Sequence, residues 1–82
     1  MGLLGDETWV RVQQRPYTVV VVPVGSLEQH GPHLPLDTDS TIACALASHL
    51  VEQRPVALLA PTITVGASGE HAGFAGTLSI GV

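Results

Sequence analysis

The 82-residue sequence contains no lysine and only one cysteine, and each shortage excludes a class of function. Its three basic residues are Arg11, Arg15 and Arg54, and its net charge is −4, so it has no basic stripe for binding nucleic acid. The absence of lysine also excludes Schiff-base catalysis and a P-loop. Because Cys44 cannot form an intrachain disulfide, we expect a reducing, cytoplasmic setting.

Charged residues and long apolar runs are scarce as well. Only 12% of the residues are charged, whereas 45% are hydrophobic. This is a small charged fraction for the surface of a small domain. The longest strongly apolar run, residues 19–22, is far shorter than the ~20 residues that a membrane span needs, so no membrane partner is expected. The composition instead predicts apolar surface that a partner subunit or a further part of the chain covers.

Two apolar stretches are typical of strands. Residues 17–22 are rich in valine and do not alternate with polar residues, which favours a buried, central, parallel strand. Pro23 cannot donate a ladder hydrogen bond, so this strand should end near it. Residues 56–60 form the second apolar stretch, which resumes after a proline as residues 62–65.

Residues 39–54 have the apolar period of a helix. Thr38 or Asp39 can cap its start, and Pro55 ends it after Arg54. Two adjoining rows carry the apolar positions: Ile42, Leu46 and Leu50 in one, and Ala43, Ala47 and Val51 in the other. Strand, helix and strand together predict a right-handed βαβ unit. Residues 1–16 show no sustained period and are assigned to a separate N-terminal segment, and residues 17–82 to an incomplete α/β domain.

Each strand is followed by a polar, glycine-containing loop. We call residues 25–39 the first loop and residues 66–76 the second loop. Because ligands collect beyond the carboxyl ends of strands in α/β sheets, both loops should open onto one edge. Together they hold three of the four histidines and most of the acidic residues, namely His30, His33, His71, Glu28, Asp37, Asp39 and Glu70.

Glu28, His30 and Asp39 form a candidate metal-binding set. In an extended segment Glu28 and His30 point to the same side, and a turn at residues 34–36 can bring Asp39 back to meet them. One imidazole and two carboxylates suit a divalent ion such as Zn, Mn or Fe. A bridging carboxylate can also hold two ions, which together activate water for amide hydrolysis. A charge-balanced structural loop would have a similar pattern, so the spacing alone leaves both interpretations open.

The two loops resemble a known family. Residues 22–39, VPVGSLEQHGPHLPLDTD, resemble the N-terminal signature of the creatininase family of metal-dependent amidohydrolases. Residues 66–71, GASGEH, with residues 74–77, FAGT, resemble its second motif. The resemblance implies a three-layer α/β/α fold with a mainly parallel sheet, of which this chain holds an N-terminal βαβ portion. It also implies a homo-oligomer, typically a hexamer.

The resemblance further implies roles for individual residues. Glu28 and His30 would each bind one ion of a two-metal centre that holds Zn, Fe or Mn, and Asp39 would bridge the two ions. Four other residues would either contact the substrate or brace the loops by hydrogen bonds: His33, Ser68, Glu70 and His71.

Within the family, the chain is most similar to peptidases that remove a C-terminal Val-Tyr dipeptide from a modified ribosomal peptide. A hydrolase of small cyclic amides such as creatinine is the alternative. The family's remaining metal ligands, a His and a Glu, and its catalytic residues lie beyond position 82, and no H-x-E replaces them here. We therefore assign no catalytic residue to this segment and expect a truncated, inactive chain. A non-catalytic remnant that binds metal or a partner is the other possibility.

Overall fold

The computed structural model of the protein describes residues 2–81, which form a small α/β unit. The strands are β1 (Val19–Val21) and β2 (Ala57–Leu59), and the helices are α1 (Trp9–Gln14) and α2 (Thr38–Glu52). Two short 3₁₀ turns, Leu4–Asp6 and Gly69–His71, complete the secondary structure of this range. The predicted βαβ unit is confirmed, because β1 and β2 pair in parallel, with Val19 beside Ala57, and α2 connects them.

The two strands separate at prolines and then pair again. The N–H of Ile63 donates to the carbonyl of Pro23 at 2.9 Å, and the N–H of Gly25 donates to the carbonyl of Ile63 at 2.7 Å. Pro23 takes part only through its carbonyl, because proline has no N–H to donate. This renewed pairing leads both chain segments into the polar loops that follow.

The buried strand is β2 rather than β1. Leu58 has no exposed surface, and Ala57 and Leu59 are also buried. Leu3 forms a bridge to Leu59 on the side of β2 opposite β1, so β2 lies between two neighbours. The expectation of a buried, central first strand is therefore wrong for this unit: Val19 and Val20 are about half exposed, because no described residue covers them.

Helix α2 packs on the sheet through its small residues. Ala47 and Val51 are buried and contact Ala57 and Leu59 in the core, with Val21 packed against them. The row of larger residues is exposed, with 54% exposure for Ile42, 68% for Leu46 and 45% for Leu50. Small side chains allow the helix to lie close to the sheet, which leaves the neighbouring row outside.

The ends of α2 differ slightly from the prediction. Asp37, not Thr38 or Asp39, is the residue before the first helical position, and the Thr38 hydroxyl donates to the carbonyl of Pro35 at 2.6 Å. The helix ends at Glu52, two residues earlier than predicted, because Gln53 and Arg54 make tighter turn hydrogen bonds to Leu50 and Val51. Neither α2 nor α1 is long and apolar enough to cross a bilayer.

The N-terminal segment contains a helix that its sequence pattern did not predict. Helix α1 is capped by Thr8, whose side-chain oxygen accepts the N–H of Arg11 at 3.3 Å. Arg11 also pairs with Glu7 at 3.3 Å, and the Tyr17 hydroxyl donates to Glu7 at 3.3 Å. These contacts, and the Leu3 bridge to β2, join the segment to the α/β unit.

Candidate metal centre

The two polar loops meet at a close backbone approach around Gly25. A Cβ at Gly25 would lie 2.5 Å from Cα of Ser40, in the first turn of α2. A Cβ at Gly66, in the second loop, would lie 2.7 Å from the carbonyl oxygen of Gly25. Both distances are too short for any side chain, so glycine at these positions lets the first loop lie between the helix and the second loop.

The first loop folds back on itself as a short hairpin. The N–H of Glu28 donates to the carbonyl of Leu36 at 3.2 Å, and His30 forms an antiparallel bridge with Leu34. The chain reverses at residues 31–33, where Gly31 has a φ of +79° that favours glycine. The main reversal therefore precedes the predicted turn at residues 34–36. A second turn, closed by the N–H of Thr38 donating to the carbonyl of Pro35 at 3.3 Å, leads from the returning arm into α2.

Glu28, His30 and Asp39 come together as the sequence predicted. One ligand atom from each lies within 4.8 Å of the other two. Nε2 of His30 is 3.1 Å from Oδ2 of Asp39, but the two are not aligned for a hydrogen bond. This buried nitrogen therefore has no hydrogen-bond partner among residues 2–81.

Ser26 joins the two carboxylates of this set. Its Oγ is 2.5 Å from Oε1 of Glu28 and 2.6 Å from Oδ2 of Asp39. The hydrogen bond from Ser26 lowers the pKa of Asp39 below its ordinary value, burial acts in the opposite direction, and the nearby His30 lowers it further. Both carboxylates are therefore within hydrogen-bond distance of the same hydroxyl group, which has a single proton to donate.

Glu28 is buried and accepts hydrogen bonds from the second loop as well. Nε2 of His71 lies 2.6 Å from its Oε2, and the Ser68 hydroxyl lies 3.3 Å from its Oε1. Ser68 itself has no exposed surface, and its N–H donates to the hydroxyl of Ser79 at 2.9 Å. Two of the four residues implied by the family resemblance thus reach the candidate site directly.

The other two lie further out. Glu70 is 68% exposed, and its carboxylate is 3.9 Å from Nε2 of His71. Glu70, His71 and Glu28 form a second group that lies within 4.8 Å, but Nε2 of His71 is already engaged by Glu28. His33 is exposed at the hairpin turn and belongs to neither group.

Sequence reasoning assigned no role to Ser26 or Gln29. Ser26 could have been found, since it lies two residues before Glu28 and an extended segment turns both to the same side. Gln29 could not, because Nε2 of its amide contacts Nδ1 of His71 at 3.2 Å across 42 positions of sequence. No local pattern signals such a contact.

The donor set fits a divalent cation. A buried imidazole nitrogen without a partner is costly, and here it faces carboxylate oxygens that carry the opposite charge to a metal ion. The neighbouring cleft, of about 470 Å³, is lined by both polar and apolar residues. The polar ones include Ser26, Glu28 and Asp39, and the apolar ones include Ile42 and Leu46.

Known proteins similar to this chain include peptidases. The sequence model of the family described as Creatininase, creatinine amidohydrolase, matches residues 5–82. The mycofactocin precursor peptide peptidase of Mycolicibacterium smegmatis is 62% identical over 68 residues, which cover 77% of this chain and 28% of that protein. The protein of the same name from Mycobacterium tuberculosis H37Rv is 56% identical over 92 aligned positions, covering 99% of this chain and 36% of that protein.

Solved structures similar to this chain are creatininases. A crystal structure of creatinine amidohydrolase has a TM-score of 0.81 at 31% identity and covers 96% of this chain and 33% of that chain. A creatininase described as the Mn form has a TM-score of 0.79 at 30% identity, covering 95% and 33%. The chain spans about a third of the length of these relatives and has the α/β fold of the corresponding part. The match over residues 5–82 shows that the chain belongs to the creatininase family.

Proposed function

We propose that this chain supplies three ligands of a two-metal centre for amide hydrolysis. Glu28 and His30 would each hold one ion, and Asp39 would bridge the two. The observation that carries the proposal is the buried Nε2 of His30, which lies beside two carboxylates and has no hydrogen-bond partner within residues 2–81. When bound, such ions supply Lewis-acid polarisation of the scissile carbonyl and a water molecule of lowered pKa.

The residues around the ligands hold them in place. Ser26 keeps the carboxylates of Glu28 and Asp39 within hydrogen-bond distance of one hydroxyl, and so fixes their separation. Ser68 and His71 bind Glu28 from the second loop. A carboxylate offers about four lone-pair positions, so hydrogen bonds from Ser68 and His71, with the Ser26 proton shared with Asp39, leave Glu28 at least one position for a metal ion.

Zinc, manganese or iron suits this mixed nitrogen and oxygen set. Related structures include a creatininase in the Mn form and one described as the Zn-Zn type. The test is calorimetric titration of the metal-free chain with Zn²⁺ and Mn²⁺. We expect binding that Glu28→Ala abolishes, and unchanged binding by Glu28→Ala would contradict the ligand assignment.

The proposed substrate is a precursor peptide, from which the complete enzyme releases a C-terminal Val-Tyr dipeptide. Support comes from the resemblance of the two loops and from the 50–62% identity to mycofactocin precursor peptide peptidases. Because the chain spans about a third of these relatives, the sharpest test is a chimera. The matching third of the M. smegmatis peptidase is replaced by this chain, and dipeptide release is followed by mass spectrometry.

The chimera also separates the peptidase from the alternative cyclic-amide hydrolase. Similar structures are creatininases, and one of them is a mutant complexed with creatine. Incubation of the chimera with creatinine should give no creatine if the peptidase proposal is right. Creatine release without dipeptide release would favour the alternative.

A non-catalytic role for the 82-residue chain by itself is the second candidate function. Three ligands cannot fill the coordination of two ions, each of which takes four or more donors. We expect the chain alone to bind metal without hydrolysing either substrate. Amide hydrolysis by the purified chain, abolished by Asp39→Ala, would contradict this expectation.

We also propose that the protein is a cytoplasmic homo-oligomer, a hexamer in its complete form. The exposed apolar row of α2 and the exposed valines of β1 support an interface, and the lone Cys44 supports a reducing compartment. Light scattering on the purified chain tests the assembly, and a monomer at all concentrations would contradict it for this chain.

A further inference from the structure

Both ring nitrogens of His71 contact the first loop, each at a different residue. Nε2 lies 2.6 Å from Oε2 of Glu28, and Nδ1 lies 3.2 Å from the amide nitrogen of Gln29. The imidazole of the second loop is therefore held between two adjacent residues of the first. Neither nitrogen points away from these partners, as a metal ligand or substrate contact would require.

The orientation of the Gln29 amide is set by the backbone. Its Oε1 accepts the N–H of Gly31 at 2.8 Å, within the hairpin turn. The reversed amide would place its NH₂ group against that N–H, with one donor facing another. The NH₂ group of Gln29 must therefore face His71.

This orientation decides where His71 carries its proton. An amide NH₂ group only donates, so Nδ1 of His71 accepts and carries no hydrogen. The proton of the neutral ring is therefore on Nε2, where it donates to Glu28. Hydrogen bonds run in one direction from the Gly31 backbone through Gln29 and His71 to the Glu28 carboxylate.

We propose that Gln29 is a positioning residue that fixes His71 in the Nε2–H tautomer, and that His71 in turn holds the carboxylate of Glu28. On this reading His71 braces the site and is not itself a metal ligand. The effect on metal binding rests on the proposed function, because it takes Glu28 as a ligand. The tautomer does not depend on that function.

The direct test is the tautomer of His71 in the metal-free chain. Long-range ¹H–¹⁵N spectra of the ¹⁵N-labelled protein, recorded at a pH where the imidazoles are neutral, distinguish Nδ1–H from Nε2–H. We expect the wild-type ring to be in the Nε2–H form. A wild-type Nδ1–H form, or an equal mixture of both, would overturn the inference whatever the variants do.

Two variants of Gln29 sharpen the test. Gln29→Glu keeps the acceptor for Gly31 but presents a second acceptor to Nδ1, so Nδ1 of His71 should carry a hydrogen and the pure Nε2–H signature should be lost. Gln29→Met fills the same volume without a donor, so the ¹⁵N signal of Nδ1 should move toward that of a nitrogen without a hydrogen bond, while the Glu28 carboxylate still favours the hydrogen on Nε2. A His71 signal that neither variant changes would also overturn the inference, since a merely structural Gln29 would not control the tautomer.

The chain offers a matched control in Gln53. Its amide nitrogen lies 2.9 Å from Nε2 of His49 on the exposed side of α2, which is the same pair of groups away from the candidate site. Gln53→Glu should alter only the signals of His49 and leave His71 as in the wild type.

Zinc affinity gives a second readout that is separate from activity. Partners that orient a metal ligand typically contribute roughly 10–100-fold to affinity, so both Gln29 variants should bind Zn²⁺ that much more weakly, and Gln53→Glu should not. If the wild type binds no Zn²⁺ but the tautomer changes as expected, the proposed function fails and the assignment of Gln29 stands.

Discussion

The hydroxyl of Ser26 lies 2.6 Å from Oδ2 of Asp39, and so connects the first loop to the first turn of helix α2. The same oxygen lies 2.5 Å from the buried carboxylate of Glu28. Among residues 2–81, this hydroxyl is the only hydrogen-bond donor that the carboxylates of Glu28 and Asp39 share in the metal-free protein. Its removal should therefore leave two like charges facing each other across the site.

Ser26→Ala should destabilise the metal-free protein. Loss of a hydrogen bond to a buried charged group costs about 1–3 kcal/mol, which urea denaturation can measure. Zn²⁺ should restore part of this stability, since a cation between the carboxylates replaces the missing proton donor. Ser48→Ala, at a half-buried position of α2 away from the two carboxylates, is the control and should change stability less than Ser26→Ala does. Equal effects of the two substitutions would contradict this role for Ser26.

His30→Ala should weaken metal binding far more than His33→Ala. His30 supplies a buried nitrogen without a hydrogen-bond partner in the described structure, whereas His33 is exposed at the turn next to it. Loss of a ligand should exceed the roughly 10–100-fold that loss of an orienting partner costs. Calorimetric titration with Zn²⁺ compares the two variants. Similar affinities for both would show that the nitrogen of His30 is not a ligand.

Gly25→Ala should destabilise the protein through a backbone clash. The new methyl group would lie 2.5 Å from Cα of Ser40, and neither the helix nor the hairpin can move away cheaply. Overpacking of this kind costs about 1–3 kcal/mol, and the loss should appear in urea denaturation. Because the helix start carries Asp39, the displaced backbone should also weaken Zn²⁺ binding.

Gly73→Ala provides the matched comparison. A Cβ at Gly73 meets no atom within 4 Å, so this substitution should change stability by less than about 0.5 kcal/mol. If Gly25→Ala is as well tolerated as Gly73→Ala, the close approach of the first loop to α2 is not needed for the fold.

The sequence was sufficient to predict those parts of the site that depend on the spacing of residues along a single strand or helix. Glu28 and His30 share a side because they are two positions apart in an extended arm, and Asp39 follows because a helix begins where the hairpin ends. The main reversal lies earlier than predicted, because Gly31, with a φ of +79°, turns the chain before Pro35 is reached.

Contacts between segments that are distant in sequence were harder to predict. Both apolar rows of α2 have the same helical period, so the pattern could not decide which row faces the sheet. Packing decides it, since Ala47 allows a closer approach than Leu46. The position of β1 at an exposed side of the sheet depends on Leu3 pairing with Leu59, which no period in the N-terminal segment indicated.

The exposed row of α2 gives a prediction about self-association. Leu46 is 68% exposed and lies between Ile42 and Leu50, so the three form an apolar stripe on the outside of the helix. Burial of such a stripe against another copy should be favourable by roughly 25 cal/mol for each Å² of apolar surface removed from water. Leu46→Lys should therefore lower the apparent mass in light scattering without lowering the stability of the monomer, because the side chain makes no buried contact.

Thr41→Lys places the same charge on an exposed position of the same helix without removing an apolar side chain, and should leave association unchanged. If both variants reduce the apparent mass equally, added charge rather than the apolar stripe controls association.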